Sequence, residues 1–280
     1  MRTREGVGIF LMSAMNRIDA TFDSLRAIGK RAFVAYVSGG DPDQDRSLEI
    51  LRALDQAGAD VIELGVPFSD PLADGIVNQL AAQRALEAGA TLPRMLDLVR
   101  RFRAESEKAL VLFTYLNPVY TYGFERFHAD AAAAGADGVL LLDLPPDEIP
   151  RNAELEERPS LRHIRLIAPT TPKERIPLLA GASEGFVYYV SRAGVTGAQT
   201  TLAEGIAENV AEIRRHTQVP VAVGFGISTP EQAAEVARAA DGVVVGSAIV
   251  NIIAENAGAA DVAERVLSFV KPLVDAVKSV

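Results

Sequence analysis

Short, almost continuously apolar runs alternate along the chain with longer stretches whose apolar positions recur every three or four residues. The runs fall at 33–38, 61–65, 110–115, 138–143, 165–168, 186–190, 221–224 and 242–246. Segments such as VLLLD, FVYYV and GVVVG leave no polar face. Strands covered on both sides read this way, so these runs predict a parallel sheet under helices. Helical period occupies 45–57, 78–88, 93–107, 124–134, 172–179, 203–215 and 230–239. Thr91, Thr171 and Thr229 stand one or two residues ahead of Pro93, Pro172 and Pro230 and offer N-caps. Gly58, Gly89, Gly135 and Gly181 lie at the predicted helix ends.

The phrases AGAD (57–60), AGAD (134–137) and AAD (239–241) recur just before strands, a weak internal repeat. Eight strand–helix units in this length predict an α/β chain folded as a single (β/α)8 TIM barrel with extra helices. The extra elements are the helix between strands two and three and a tail at 261–277. Residues 15–280 are read as one barrel domain, and residues 1–14 as an N-terminal extension or tag. As a signal peptide that extension is weak, because its apolar run contains Ser13 and lacks a clear cleavage site.

With 49% hydrophobic and 23% charged residues the composition is that of an ordinary globular chain. A net charge of −9 disfavours nucleic acid and anionic lipid as partners, although a locally positive site still admits an anionic metabolite. The absence of cysteine excludes disulfides, thiolate nucleophiles and Cys-zinc sites. No run approaches the roughly 20 apolar residues that span a bilayer. The expected compartment is cytoplasmic.

Parallel barrels place their chemistry at the C-terminal ends of the strands. After strand two comes IELGVPFSDPLADG (62–75). Glu63 stands inside the strand among apolar neighbours, where desolvation raises a carboxyl pKa toward neutrality and suits it to proton transfer. Asp74 lies in a proline-restricted loop that can bring a second acid over the barrel mouth. Without function, Glu63 forms a structural ion pair and Asp74 caps the next helix. After strand six, SRAGVTGAQ (191–199) reads as a substrate lid or as a plain connection. Tyr188, in that strand, is a hydrogen-bond donor to a carboxylate or substrate, or simple packing. After strands seven and eight, GFGIS (224–228) and GSAIV (246–250) leave backbone amides free to bind phosphate. Gly226, Gly246 and Ser247 are the candidates, with Gly197 reaching in from the lid. His128, His163 and His216 are scattered, so no metal site is expected. No strand position carries a lysine for Schiff-base chemistry.

GGDPD (39–43), IELGVPFSDPLADG (62–75), YLNPVY (115–120), LLDLP (141–145), YYVSRAGVTGA (188–198), GFGIS (224–228) and GSAIV (246–250) occur in the order seen in the tryptophan synthase alpha chain. The chain resembles that family over about residues 16–278. The resemblance implies a lyase that cleaves indole-3-glycerol phosphate to indole and glyceraldehyde 3-phosphate without a metal or cofactor of its own. It implies that Glu63 and Asp74 are the two catalytic acids, with Tyr188 beside the glutamate. Gly197, Gly226, Gly246 and Ser247 match the phosphate cradle and Thr196 the lid threonine. Tyr36, Phe113, Leu140 and Phe225 fall where the family lines its indole pocket.

It also implies a partner, a beta chain carrying pyridoxal phosphate, in an αββα heterotetramer that contacts this chain around 70–74 and 117–118. One departure stands out. After ADG the family usually has Pro, another residue, then Ile-Gln, whereas this chain has Ile76-Val77-Asn78-Gln79. Losing the proline removes a φ restraint just beyond Asp74. The competing readings are a stand-alone indole-releasing lyase, a non-catalytic alpha-like partner activator, and a sugar-phosphate isomerase or epimerase.

Overall fold

The computed structural model describes residues 15–144, 148, 161–191, 202–224 and 226–280. Eight parallel strands, β1 (Ala32–Ser38), β2 (Val61–Gly65), β3 (Ala109–Thr114), β4 (Gly138–Leu141), β5 (Arg162–Ile167), β6 (Val187–Val190), β7 (Val221–Gly224) and β8 (Gly242–Val245), close into a barrel in sequence order. β1 pairs with both β2 and β8, which completes the ring. The predicted TIM barrel is the observed fold.

Alternate residues of each strand face inward. Val34, Val61, Val111, Leu140, Ile164, Phe186, Ala222 and Val244 fill the interior as one apolar cluster. The opposite side chains pack under the outer helices in a second, larger cluster. Both faces of the sheet are therefore dry, which explains the continuous apolar runs. A helix that the periodicity does not predict, α1 (Arg17–Ala27), closes the N-terminal end of the barrel. Its Ile18 and Phe22 join the interior cluster, and the Phe22 and Phe186 rings lie 5.6 Å apart.

α2 (Gln44–Ala57) follows β1. α3 (Ile76–Glu87) and α4 (Leu92–Arg103) lie between β2 and β3, the predicted insertion. α5 (Leu116–Tyr122) and α6 (Phe124–Ala134) follow β3. Next come α7 (Ile176–Gly181), α8 (Leu202–Arg214), α9 (Pro230–Ala239) and α10 (Ser247–Glu255). The tail is α11 (Val262–Lys278), whose valine face seals against α2 and α9.

Several boundaries differ from expectation for physical reasons. β4 ends at Leu141: one further bond, from the Leu142 N–H to the Thr114 carbonyl at 2.9 Å, follows before the chain turns at Asp143, whose carboxylate accepts the Leu116 N–H at 2.6 Å. β5 begins earlier than predicted, at Arg162. Its first residues are polar and hide the strand period, with Arg162 paired to Asp19 and His163 buried against His128. The predicted helix at 172–179 is a 3-10 turn (Lys173–Arg175) followed by α7. Thr171 does not cap it, since its Oγ1 accepts the Ala168 N–H at 2.9 Å. Thr91 and Thr229 do cap α4 and α9, Thr229 in a reciprocal box with Gln232. The extension expected at residues 1–14 lies outside the described residues.

Asp41, from the GGDPD loop, is fully buried and meets Arg84 of α3 through two bonds of 2.9 and 2.8 Å. α3 buries only Ala81, Ala82 and Ala85, so little hydrophobic area holds it and this fork fixes its position. Arg84→Ala is expected to lower the unfolding free energy by about 2–3 kcal/mol, because a buried carboxylate loses its charged donor. Urea unfolding of parent and variant measures it.

Candidate active site

The strand register sets the floor of the site. Tyr36 of β1 pairs with Glu63 of β2, and the two stand side by side above the apolar interior, to which Val111, the β3 partner of Glu63, belongs. Two inward glycines make room for two large phenols. A Cβ on Gly65 would lie 2.5 Å from the Tyr36 hydroxyl, and one on Gly224 would lie 2.6 Å from that of Tyr188. Any side chain there would force a tyrosine out of its present position.

Above this floor lies a cavity of about 350 Å³. Glu63, Asp74, Tyr36, Phe113 and Tyr188 line it together with Gly226, Ser228, Gly246 and Ser247. Residues as far apart in sequence as Tyr36 and Ser247 thus share one chamber. Leu140, expected in the indole pocket, does not line it: it sits one layer deeper, within the interior cluster. Leu142, two residues on and on the same strand face, takes its place, together with Leu166 and Val190. Thr196, Gly197 and Phe225 lie outside the described residues.

Glu63 is completely buried, and neither carboxyl oxygen has a hydrogen-bond partner. Among the described residues no ion pair accounts for it. Desolvation alone raises its pKa from 4.5 to about 8, so the carboxyl is neutral at pH 7 and holds a proton ready for transfer. Burial also drives the Tyr36 and Tyr188 phenols well above their ordinary value, with the nearby carboxyls adding to the effect. Both phenols therefore remain protonated donors at the cavity wall.

The Glu63 shift has a stability consequence. Between the unfolded value of 4.5 and the folded value of about 8, the native chain binds a proton that the unfolded chain has released. Native stability from this group therefore falls as pH rises through that window and levels off above it. Glu63→Gln removes the titration. Its melting temperature, measured by calorimetry, is expected to gain on the parent's progressively across that window; a constant offset would mean that Glu63 is already ionised.

Asp74 is held differently. The Tyr115 hydroxyl donates to Asp74 Oδ2 at 2.7 Å and accepts the Ala73 N–H at 2.9 Å. The Gln79 amide donates to the Asp74 carbonyl at 2.8 Å. The Asp74 side chain does not cap α3, whose N-cap is Gly75 with no side-chain bond. Burial raises its pKa, while the Tyr115 hydroxyl and the Asn78 amide oppose the rise. One carboxyl is thus unpartnered and neutral, and the other is anchored by donors that favour its charge.

α10 opens on the same chamber, with Gly246 as its N-cap. The N–H groups of Ile249 and Val250 bond to the Gly246 carbonyl, so those of Ser247 and Ala248 precede the first helical bond. No Lys or Arg lines the chamber among the described residues. An anion there meets helix-start amides.

Tyr115, Asn78 and Leu142 did not emerge from the residue patterns. Tyr115 carried a signal, since it directly follows the end of β3 at the catalytic face of the barrel. Among the described residues no group of His, Asp and Glu is arranged to hold a metal ion. His128 and His163, far apart in sequence, do meet, with Nε2 atoms 3.2 Å apart, but they are buried away from the cavity. Burial pushes the pKa of His163 down to about 3, so it is neutral.

The family model of the tryptophan synthase alpha chain matches residues 22–278. The tryptophan synthase alpha chain of Geobacter sulfurreducens is 49% identical over 263 residues, covering 94% of this chain and 99% of that one. That of Opitutus terrae is 52% identical over 244 residues, covering 87% and 92%. The crystal structure of tryptophan synthase subunit alpha from Legionella pneumophila superposes with a TM-score of 0.85 at 38% identity, covering 95% of this chain and all of that one. By sequence, by fold and by the order of its strand-end motifs, the chain belongs to the tryptophan synthase alpha chain family.

Proposed function

We propose that Glu63 and Asp74 are the two acids with which this chain carries out its family's reaction, the cleavage of indole-3-glycerol phosphate to indole and glyceraldehyde 3-phosphate. The chain is a lyase of tryptophan biosynthesis. The observation that carries the residue assignment is the unpartnered, buried carboxyl of Glu63 in the same chamber as the anchored carboxylate of Asp74.

In this reading the indole ring lies between the acids, against Tyr36, Phe113 and Leu142. Asp74 accepts a hydrogen bond from the ring N–H. Glu63 delivers its proton to ring carbon C3, and the ring becomes an indolenine whose nitrogen carries positive charge opposite Asp74. The Glu63 carboxylate then takes the proton of the side-chain hydroxyl next to C3. The C–C bond breaks, its electron pair returns to the ring, and the hydroxyl-bearing carbon leaves as an aldehyde. Glu63 ends protonated, as it began. Tyr188 donates toward the glutamate while it is charged. The phosphate rests on the amides around Gly226, Gly246 and Ser247, with Gly197 assigned to the same cradle from the lid, Thr196 to the lid itself and Phe225 to the ring pocket.

The family's partner is the beta chain, which carries the pyridoxal phosphate. We assign the docking face to the loops at 70–74 and 117–118 in an αββα assembly. Leu72, Ile76, Leu80 and Tyr120 are large exposed hydrophobics on or beside those loops, and the Tyr115 contacts tie the two together. No helix among the described residues is long and apolar enough to cross a membrane. We place the protein in the cytoplasm, the compartment expected of a biosynthetic enzyme.

Indole release from indole-3-glycerol phosphate by the purified chain, with and without a beta chain, tests the reading. Release that the beta chain accelerates is expected. Full release that is insensitive to the beta chain favours a stand-alone lyase. No release in either state, together with activation of the beta chain, would make the chain a non-catalytic activator.

A further inference from the structure

Asp74 stands on the loop between β2 and α3, yet the group that fixes its carboxyl comes from a different strand. Tyr115 directly follows β3 and is the N-cap of α5. It is 5% exposed, and its own place is set by packing and by its neighbour. Its ring lies 5.3 Å from that of Phe68, and the N–H of the next residue, Leu116, is held by the Asp143 carboxylate at 2.6 Å. The hydroxyl of this fixed ring grips the loop twice. It donates to Asp74 Oδ2 at 2.7 Å and accepts the N–H of the preceding residue, Ala73, at 2.9 Å. The acid's side chain and the backbone that leads into it are thus tied to the barrel through one oxygen. The phenol stands behind the acid, since Asp74 is half-buried and lines the chamber whereas Tyr115 does not. With Oδ2 turned back to the phenol, Oδ1 is the oxygen left for a bound ring.

We infer that Tyr115 is a positioning residue for the reaction: its hydroxyl holds the Asp74 carboxylate in the orientation that meets the ring N–H of the substrate. The inference rests on the proposed reading of the chamber, in which Asp74 faces the ring nitrogen. A donor on a carboxylate also favours its charged form, and here it opposes the rise in pKa that burial causes. The same bond therefore keeps Asp74 ionised where the nitrogen gains positive charge. A phenol that only pinned the loop would act on stability and affinity, and would leave unchanged the pH at which the acid takes up its proton.

Indole release by the full chain together with a beta chain, measured across pH, compares the parent, Tyr115→Phe, Asp74→Asn and the double variant. Phenylalanine removes one oxygen and leaves the ring against Phe68; thermal melts check the fold. Tyr115→Phe is expected to lower kcat about 10-fold with KM little changed, because a hydrogen bond to a charged group is lost. The acid-side limb of kcat is expected to move to higher pH, since the carboxylate without its donor binds a proton more readily. The basic-side limb, which this reading gives to Glu63, should stay in place. In the Asp74→Asn background no carboxylate remains to titrate, so removing the hydroxyl should move neither limb. An acid limb that does not move in Tyr115→Phe, a loss confined to KM, or a variant that does not fold would overturn the assignment, because each leaves Tyr115 a structural tie. If Asp74→Asn turns over like the parent, the reading of the chamber itself fails. If Asp74→Asn is impaired and Tyr115→Phe matches the parent, only the role of Tyr115 fails.

Discussion

Replacing Glu63 with glutamine is expected to lower kcat for indole release by about 10²–10⁴-fold, the range contributed by a positioned acid–base group. Glutamine has nearly the same shape and fits the same buried position beside Tyr36 and Val111. It has no acidic proton to give and no charge to take one back, so both halves of the proton cycle stop. KM should change little, since the neutral amide resembles the neutral acid that faces the bound substrate. The fold should persist and gain stability toward high pH, which separates loss of chemistry from loss of structure. Steady-state kinetics with circular dichroism on the same samples checks this. Turnover at the parent rate would remove Glu63 from the mechanism.

Asp74→Asn is expected to cost about 10²–10³-fold in kcat, as for other groups that stabilise charge developing in a transition state. The variant keeps the loop's geometry, because the Tyr115 hydroxyl can still donate to an amide oxygen where it now donates to Oδ2 at 2.7 Å. What disappears is the negative charge opposite the ring nitrogen. The ground-state hydrogen bond from the ring N–H survives in weaker form, so kcat should fall more than substrate affinity. A variant that lost affinity but kept its kcat would make Asp74 a binding group only.

The barrel was legible because a sheet covered on both faces cannot disguise its period: FVYYV and GVVVG have no polar side to show. Elements held by polar contacts were less so. β5 opens with Arg162 and His163, whose partners Asp19 and His128 lie far away in the chain, and α1 presents only Ile18 and Phe22 as buried anchors. The acid pair was readable from one contiguous motif, since the oddity of a glutamate inside an apolar strand is local. The anchoring of Asp74 was not, because Tyr115 reaches it from the end of another strand. Leu140 and Leu142 face the same side of β4 and its extension, and only the depth of the interior cluster shows which of them meets the cavity.

The central claim is that Glu63 enters the reaction as a neutral acid. Difference infrared spectra of the parent minus Glu63→Gln, titrated from about pH 5 to about pH 10, read that carboxyl directly. A protonated-carboxyl stretch that persists at neutral pH and disappears with a midpoint near 8 is the predicted result. A side chain already ionised near its ordinary value of 4.5 would contradict it.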